Sequence, residues 1–382
     1  MGRRLRLLLI ANVALWAAIA AGLARSRVQL DALGWDLGVL RDASRLWLAH
    51  RPLYDVGEQT RMHLAQFGHG FAVPYPFAYP PIVAMEMAPL AWVPHPLAFA
   101  IVALASALAL AWAAWRTAGD ARAALWVTVS YPAVYALLAG QLVFVALALF
   151  AASYGLLRGA RPLAAGLVAS LLAYKPQLLV ALPVAFLILP RGRRALAGLA
   201  AGVAAQVGVC FAFAPRATLD FPRAVSAMAA YTDTHFRVSL AFTWRGFFAA
   251  LLGQHRAAAT ALAAIAVGAS GAVAVAAMYA RRRDEAATFA IAVFATLACA
   301  WHCAPYDWVL LAIPAWLLLP RLELSARATR TLVALLAATW VIVPIVDAQQ
   351  SAWGAGLHPA MLLLAASAVW LVRAAPASTE NA

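Results

Sequence analysis

Apolar residues in this chain fall in long unbroken runs, not in the short alternations of soluble folds. Leu7 to Ala24, Ala195 to Ala214, Ala257 to Ala280 and Thr331 to Val346 approach or reach the roughly 20 residues that cross a hydrocarbon core as a helix. Backbone groups in lipid must bond within their own segment, so these runs predict membrane-spanning helices. The pattern as a whole predicts an all-α polytopic membrane protein of about twelve transmembrane helices. It forms a single integral domain over residues 1–375, followed by a polar tail at 376–382. The first apolar run is longer than a signal-peptide core and has no clear small-x-small cleavage site, so it reads as a retained helix.

Two segments break the apolar pattern. Residues 25–79 hold five of the fifteen acids, Asp31, Asp36, Asp42, Asp55 and Glu58, and are too polar to cross lipid. Within them Leu37, Leu40, Ala43, Leu46, Trp47 and Leu48 recur at near-helical spacing, with Arg41, Asp42, Arg45 and His50 elsewhere. That spacing predicts amphipathic helices lying on the membrane surface, with the charges solvated. Residues 215–257 form the second segment, punctuated by Asp220, Arg223, Asp233, His235, Arg237 and Arg245.

Composition sharpens this reading. The chain is 65% hydrophobic and 12% charged, against about 45–50% and about 25% in soluble domains. A net charge of +14 raises the question of nucleic acid, but the basic residues sit in short clusters between apolar runs instead of forming a stripe. The positive-inside rule accounts for the clusters and places them in the cytoplasm together with both termini. They are Arg3, Arg4 and Arg6, then Arg191, Arg193 and Arg194, then Arg281 to Arg283, then Arg321 to Arg330. The two polar segments then face outward, with the chain in the plasma (inner) membrane and its cavity on the extracytoplasmic side. Three cysteines, Cys210, Cys299 and Cys303, make no disulfide framework.

Between Tyr79 and Pro190 two threadings compete. One turns at Pro94 to Pro96 in the cytoplasm and runs Pro162 to Leu189 as one kinked helix. The other turns at Lys175-Pro176 on the outside and puts Arg116, Arg122, Arg158 and Arg161 in the cytoplasm, which the charge rule favours.

Few residues in such a chain carry chemistry. Asp36, in Gly34-Trp35-Asp36-Leu37-Gly38-Val39, reads either as a helix N-cap or as a carboxylate held over a cavity. Tyr75, Phe77 and Tyr79, in a Pro-rich stretch before the next span, either anchor the chain at the interface or stack on a sugar or prenyl chain. Lys175 interrupts an apolar stretch; it either binds an anion or snorkels to the interface. Gly140-Gln141 separates two apolar runs, as a tight turn or as a polar contact. His302, Tyr306 and Asp307 fall between two spans at the outward face, where His302 suits a phosphate or a carboxylate. A zinc site from Cys299, His302 and Cys303 lacks a second ligand pair at a suitable spacing. Glu86, inside an expected span, either lines a cavity or pairs with a neighbouring helix, and His95 and His235 have no partner readable from sequence.

The ordered series Asp36-Leu37-x-Val39, Pro52-Leu53-Tyr54-Asp55, Phe77-Ala78-Tyr79-Pro80-Pro81, Gly140-Gln141, Lys175-Pro176 and His302-x-x-x-Tyr306-Asp307 resembles glycosyltransferase family 87. That group includes polyprenol-phosphate-mannose-dependent mannosyltransferases. The chain departs from the pattern at Leu40, Val143 and Trp301, where members often carry Tyr, Asn and Pro. The resemblance implies a C-type glycosyltransferase fold and inverting transfer of a hexose, mannose favoured, from a polyprenyl-phosphate sugar donor to a lipid or glycan acceptor. It implies Asp36 as the catalytic base and no cofactor. The expected site then has Lys175 and His302 on the donor phosphate, and Tyr75, Phe77, Tyr79, Gln141, Tyr306 and Asp307 around the sugar or prenyl chain. The expected partners are donor, acceptor and membrane lipids, with no nucleic acid and no metal. Two other readings stand beside it: a lipid or sugar transporter or flippase, for which repeat symmetry and midplane acids are expected, and a non-catalytic binder of a lipid-linked sugar.

Overall fold

The computed structural model describes residues 3–25, 33–67, 76–235, 237–321 and 326–374, and among them all regular structure is helical. Five helices are long and apolar enough to cross a membrane. They lie in α1 (Arg3–Arg25), α5 (His95–Ala118), α11 (Gly192–Phe213), α14 (Arg256–Ala280) and α17 (Ala326–Trp353). A sixth is formed if α6 (Ala124–Thr128) and α7 (Tyr131–Ala139), bent by 89° at their junction, count as one. The chain is thus a multi-pass membrane protein, and span length alone gives five or six crossings among the described residues.

The other apolar helices are shorter: α8 (Val143–Arg158), α9 (Pro162–Ser170), α10 (Leu182–Ile188), α15 (Glu285–Cys299), α16 (Ala312–Leu318) and α18 (Ala360–Ala374). Local chemistry sets their ends. Proline stands in the first turn of α5, α7, α9 and α10, where its missing N–H costs nothing. Ser130 Oγ accepts from Ala133 N at the start of α7, and Asp284 Oδ1 from Ala287 N at the start of α15.

Glycine contacts fix how Lys175 is threaded. A Cβ on Gly166 would fall 1.8 Å from Ala195 O, one on Gly198 2.1 Å from Leu163 O, and one on Gly202 2.0 Å from Ser170 Oγ. Gln206 Nε2 also donates to Ser170 O at 2.8 Å. Residues 163 to 170 therefore ascend alongside 195 to 206, with small residues letting the backbones meet, and α9 runs parallel to α11. Between them the chain must reverse. It does so at Lys175, whose φ of −132° and ψ of 84° separate the short 3-10 helices Leu171–Tyr174 and Pro176–Leu179. Of the two threadings, this is the one that turns at Lys175-Pro176. The segment before α5 does not cross: α4 (Pro81–Glu86) packs beside α2 (Trp35–Leu48). Glu86 ends that short helix and is exposed.

Contacts also gather the basic clusters at one end. Arg116 Nη2 donates to Gly155 O near the end of α8, Arg321 pairs with Asp284 at 2.6 Å, and Arg158 and Arg191 both act on Glu285. At the opposite end lie Gly140, Lys175 and the link after α15.

The first polar segment forms two helices, α2 and α3 (Val56–Phe67), but α2 is not the surface helix its pattern predicts. Arg41 is 0% exposed and Asp42 1%. Arg41 and Arg45 satisfy the backbone carbonyls of Leu90, Ala91 and Val93, and Asp42 pairs with Arg45 at 3.0 Å. Buried charges persist when so bonded, so the side of α2 that reads as solvated is instead a polar seam. The second polar segment supplies α12 (Pro215–His235) and α13 (Trp244–Leu252).

Candidate active site

The start of α2 meets the end of α7. Gly34, the N-cap of α2, has φ 73°, and its N–H donates to Leu138 O at 2.8 Å. Gly140 ends α7 at φ 71°, so close that a Cβ there would lie 2.9 Å from Leu37 Cβ and 3.1 Å from Gly34 Cα. Glycine meets both demands, the left-handed turn and the close approach. Asp36 is therefore not an N-cap. It sits in the first turn of α2, where the helix dipole favours a carboxylate, and Gln141 Nε2 donates to its Oδ2 at 2.5 Å.

Asp36 opens on a cavity of about 270 Å³ at the end of the bundle away from the basic clusters. Its wall includes Tyr79, Gln141, His302 and Tyr306, with Tyr131, Tyr135, Arg237, Arg245 and Trp301. The aromatic rings form a continuous surface. Trp35 lies 5.9 Å from Tyr135, Tyr135 lies 5.7 Å from Tyr306, and Tyr131 stacks on Tyr135 at 5.8 Å. Behind Tyr306 the hairpin tip brings in Lys175, whose Nζ lies 4.9 Å from that ring and 2.5 Å from Asp307 Oδ1. Asp307 Oδ2 accepts from Ala304 N at 3.0 Å, which caps the 3-10 helix Pro305–Leu311 directly after His302 and Cys303.

The cavity's electrostatics suit proton transfer. Burial pushes the Asp36 carboxyl up to about 6, opposed by the Gln141 bond and the Lys175 charge. Burial, with Lys175 and Arg245 nearby, pushes His302 down to about 4, so that its ring is neutral at pH 7. Arg245 lies over the Trp301 ring at 5.7 Å. Arg237 pairs with Asp347 of α17, and Ser239 Oγ donates to Gln350 at 2.5 Å, fixing the arginine-bearing segment to the bundle.

Of the expected site residues, Asp36, Tyr79, Gln141, His302 and Tyr306 share this cavity, and Lys175 and Asp307 stand directly behind it. Phe77 does not reach it. It is 2% exposed, stacks against Tyr54, and has its N–H bound by Gln59 Oε1. Tyr75, Asp31 and the tail lie outside the described residues. Sequence reasoning passed over Tyr131 and Tyr135, although their i, i+4 spacing in an apolar helix is a readable signal. Cys299 and Cys303 have different neighbours, Val267 O and Ala304 O, and among the described residues no group of His, Cys, Asp and Glu could hold a metal ion.

No curated protein and no solved structure matches the chain. The profile of glycosyltransferase family 87 does, over residues 77–305. That interval carries Tyr79, Gln141, Lys175 and His302 and covers more than half of the chain, while Asp36 precedes it and is tied to it by the Gln141 bond. The chain belongs to glycosyltransferase family 87.

Proposed function

We propose that this protein is an inverting glycosyltransferase that moves one hexose, mannose favoured, from a polyprenyl-phosphate donor to a lipid or glycan acceptor on the extracytoplasmic face. The observation that carries the reading is Asp36, a carboxylate held by Gln141 in a cavity walled by aromatics, a neutral histidine and cations. Family membership supports glycosyl transfer, and the topology supports the face.

Twelve passes follow when α6 with α7 counts as one, the hairpin arms before and after Lys175 count as two, and the 3-10 helix Pro305–Leu311 with α16 counts as one. Both termini and the basic clusters then share the cytoplasmic side, in keeping with a C-type glycosyltransferase fold in the plasma membrane.

In the reaction the acceptor hydroxyl attacks the anomeric carbon opposite the phosphate. A carbon–oxygen bond forms on one face as the bond to phosphate breaks on the other, and the polyprenyl phosphate leaves with the electron pair. Asp36 takes the hydroxyl proton. His302 donates to the departing phosphate, and Lys175, held by Asp307, adds positive charge behind it. Tyr79, Gln141 and Tyr306 border the sugar.

Membranes containing Asp36→Asn, incubated with labelled polyprenyl-phosphate mannose, test the assignment. Transfer should fall roughly 10²–10⁴-fold with donor binding retained, and near-normal transfer would refute it.

A further inference from the structure

His95 and Arg41 lie outside the cavity wall, yet they meet the chain on both sides of Asp36. The His95 ring is 8% exposed, and its Nε2 lies 2.6 Å from Leu33 O. A carbonyl can only accept, so Nε2 carries the proton. Nδ1 is then a lone-pair acceptor, and Arg41 Nη1 lies 2.8 Å from it. This leaves His95 neutral, in a tautomer fixed by its neighbours.

Leu33 is three residues before Asp36 and Arg41 five after it, so one imidazole at the first position of α5 ties down both flanks of the α2 start. Arg41 is anchored in turn, with Nε donating to Leu90 O at 2.9 Å and Nη2 to Val93 O. Gly34 leaves room for this arrangement. A Cβ there would lie 2.6 Å from Phe99 and 3.4 Å from His95 Nε2. Leu138 O and Gln141 hold the same segment from the α7 side, so Asp36 sits on a strut fixed at both ends.

We propose that His95, backed by Arg41, is a positioning residue that sets the carboxylate of Asp36 in line with the cavity through the Leu33 carbonyl. This rests on Asp36 being the base. A displacement of about 1 Å in a reacting group can cost roughly 10²-fold in rate, and a strut that acts only on orientation changes turnover while leaving the cavity's affinity for donor intact.

The test uses the full chain in detergent or nanodiscs, with His95→Gln, His95→Asn and His95→Ala compared by steady-state transfer from polyprenyl-phosphate mannose and by amide hydrogen exchange over residues 33–40. Glutamine keeps an N–H where Nε2 stands and can still donate to Leu33, whereas asparagine is too short. The expected result is that kcat falls on the order of 10²-fold in His95→Ala and His95→Asn, with donor KM little changed and exchange over 33–40 faster. His95→Gln should recover most of both. Should His95→Ala fail to fold, the order of Gln above Asn decides. Unchanged kcat in Ala, or Asn equal to or better than Gln, overturns the proposal. Asp36→Asn assayed in parallel separates the two failures, because faster exchange in His95→Ala beside an active Asp36→Asn would refute the base and not the strut.

Discussion

Gln141 donates to Asp36 across 105 residues of sequence, at 2.5 Å. The bond favours the charged carboxylate while burial opposes it, and burial prevails, with the group at about 6. A base must be unprotonated, so transfer should fall as pH drops through about 6. Removing the amide in Gln141→Leu removes a contact that favours the charged carboxylate. A hydrogen bond to a charged group contributes about 1.5–3 kcal/mol, so the acid limb should move up by roughly 1–2 pH units. A pH–rate profile that keeps its limb in the variant would deny Gln141 this role.

The same shift fixes a sign for stability. Asp36 binds its proton more tightly folded than unfolded, so its contribution is full below about 4 and is lost as pH rises through about 6. Asp36→Asn should therefore unfold at a higher temperature than the parent at pH 7.5, with the gap closing by pH 4, as read by thermal denaturation in detergent.

Lys175 and Asp307 are 8% and 3% exposed as side chains. Removing one partner from such a pair costs roughly 3–5 kcal/mol, while replacing both with apolar residues of similar size is often neutral. Lys175→Met and Asp307→Leu should each lower the unfolding midpoint sharply, and the double variant should regain it without regaining transfer. A double variant no more stable than the singles would show that the pair is not the stabilising contact.

Gly140→Ala should be poorly tolerated. A left-handed conformation costs a non-glycine residue roughly 1–2 kcal/mol, and the added methyl would press on Leu37 and Gly34. The α2 start must then move from α7. Turnover should fall more than donor binding, and parental turnover in Gly140→Ala would count against the close contact.

Topology can be read by impermeant thiol labelling in a background with Cys210, Cys299 and Cys303 replaced. A cysteine at Thr60 in α3 should label in intact cells, and one at Gly159, between α8 and α9, only after permeabilisation. The reverse pattern would invert the protein and remove the extracytoplasmic reaction.

The long spans were legible as apolar runs, and Gln141 and Lys175 because each interrupts one, whereas Asp36 and His302 joined them only through the family resemblance. Arg41 and His95 were not legible. Ser44 and Arg45, at i+3 and i+4 from Arg41, describe a solvated face, His95 at the start of an apolar helix has no partner in its neighbourhood, and only the distant carbonyls of Leu33, Leu90 and Val93 turn both inward. Phe77 erred in the opposite direction, because an aromatic in a Pro-rich linker looks the same whether it faces a ligand or a core. The turn at Lys175-Pro176 was favoured by the charge rule, and the glycine pairing of α9 with α11, which no single segment encodes, decides it.

The Lys175–Asp307 contact also imposes a timetable on synthesis. Its partners lie 132 residues apart, and at roughly 5–20 residues per second the lysine emerges on the order of 7–26 s before its counter-ion. Over that interval an ammonium sits without its counter-ion at the tip of a hairpin whose first arm is only about 20 Å long, against a hydrocarbon core of about 30 Å. An ammonium so placed reaches water or anionic headgroups only by snorkelling until the segment after α15 supplies Asp307.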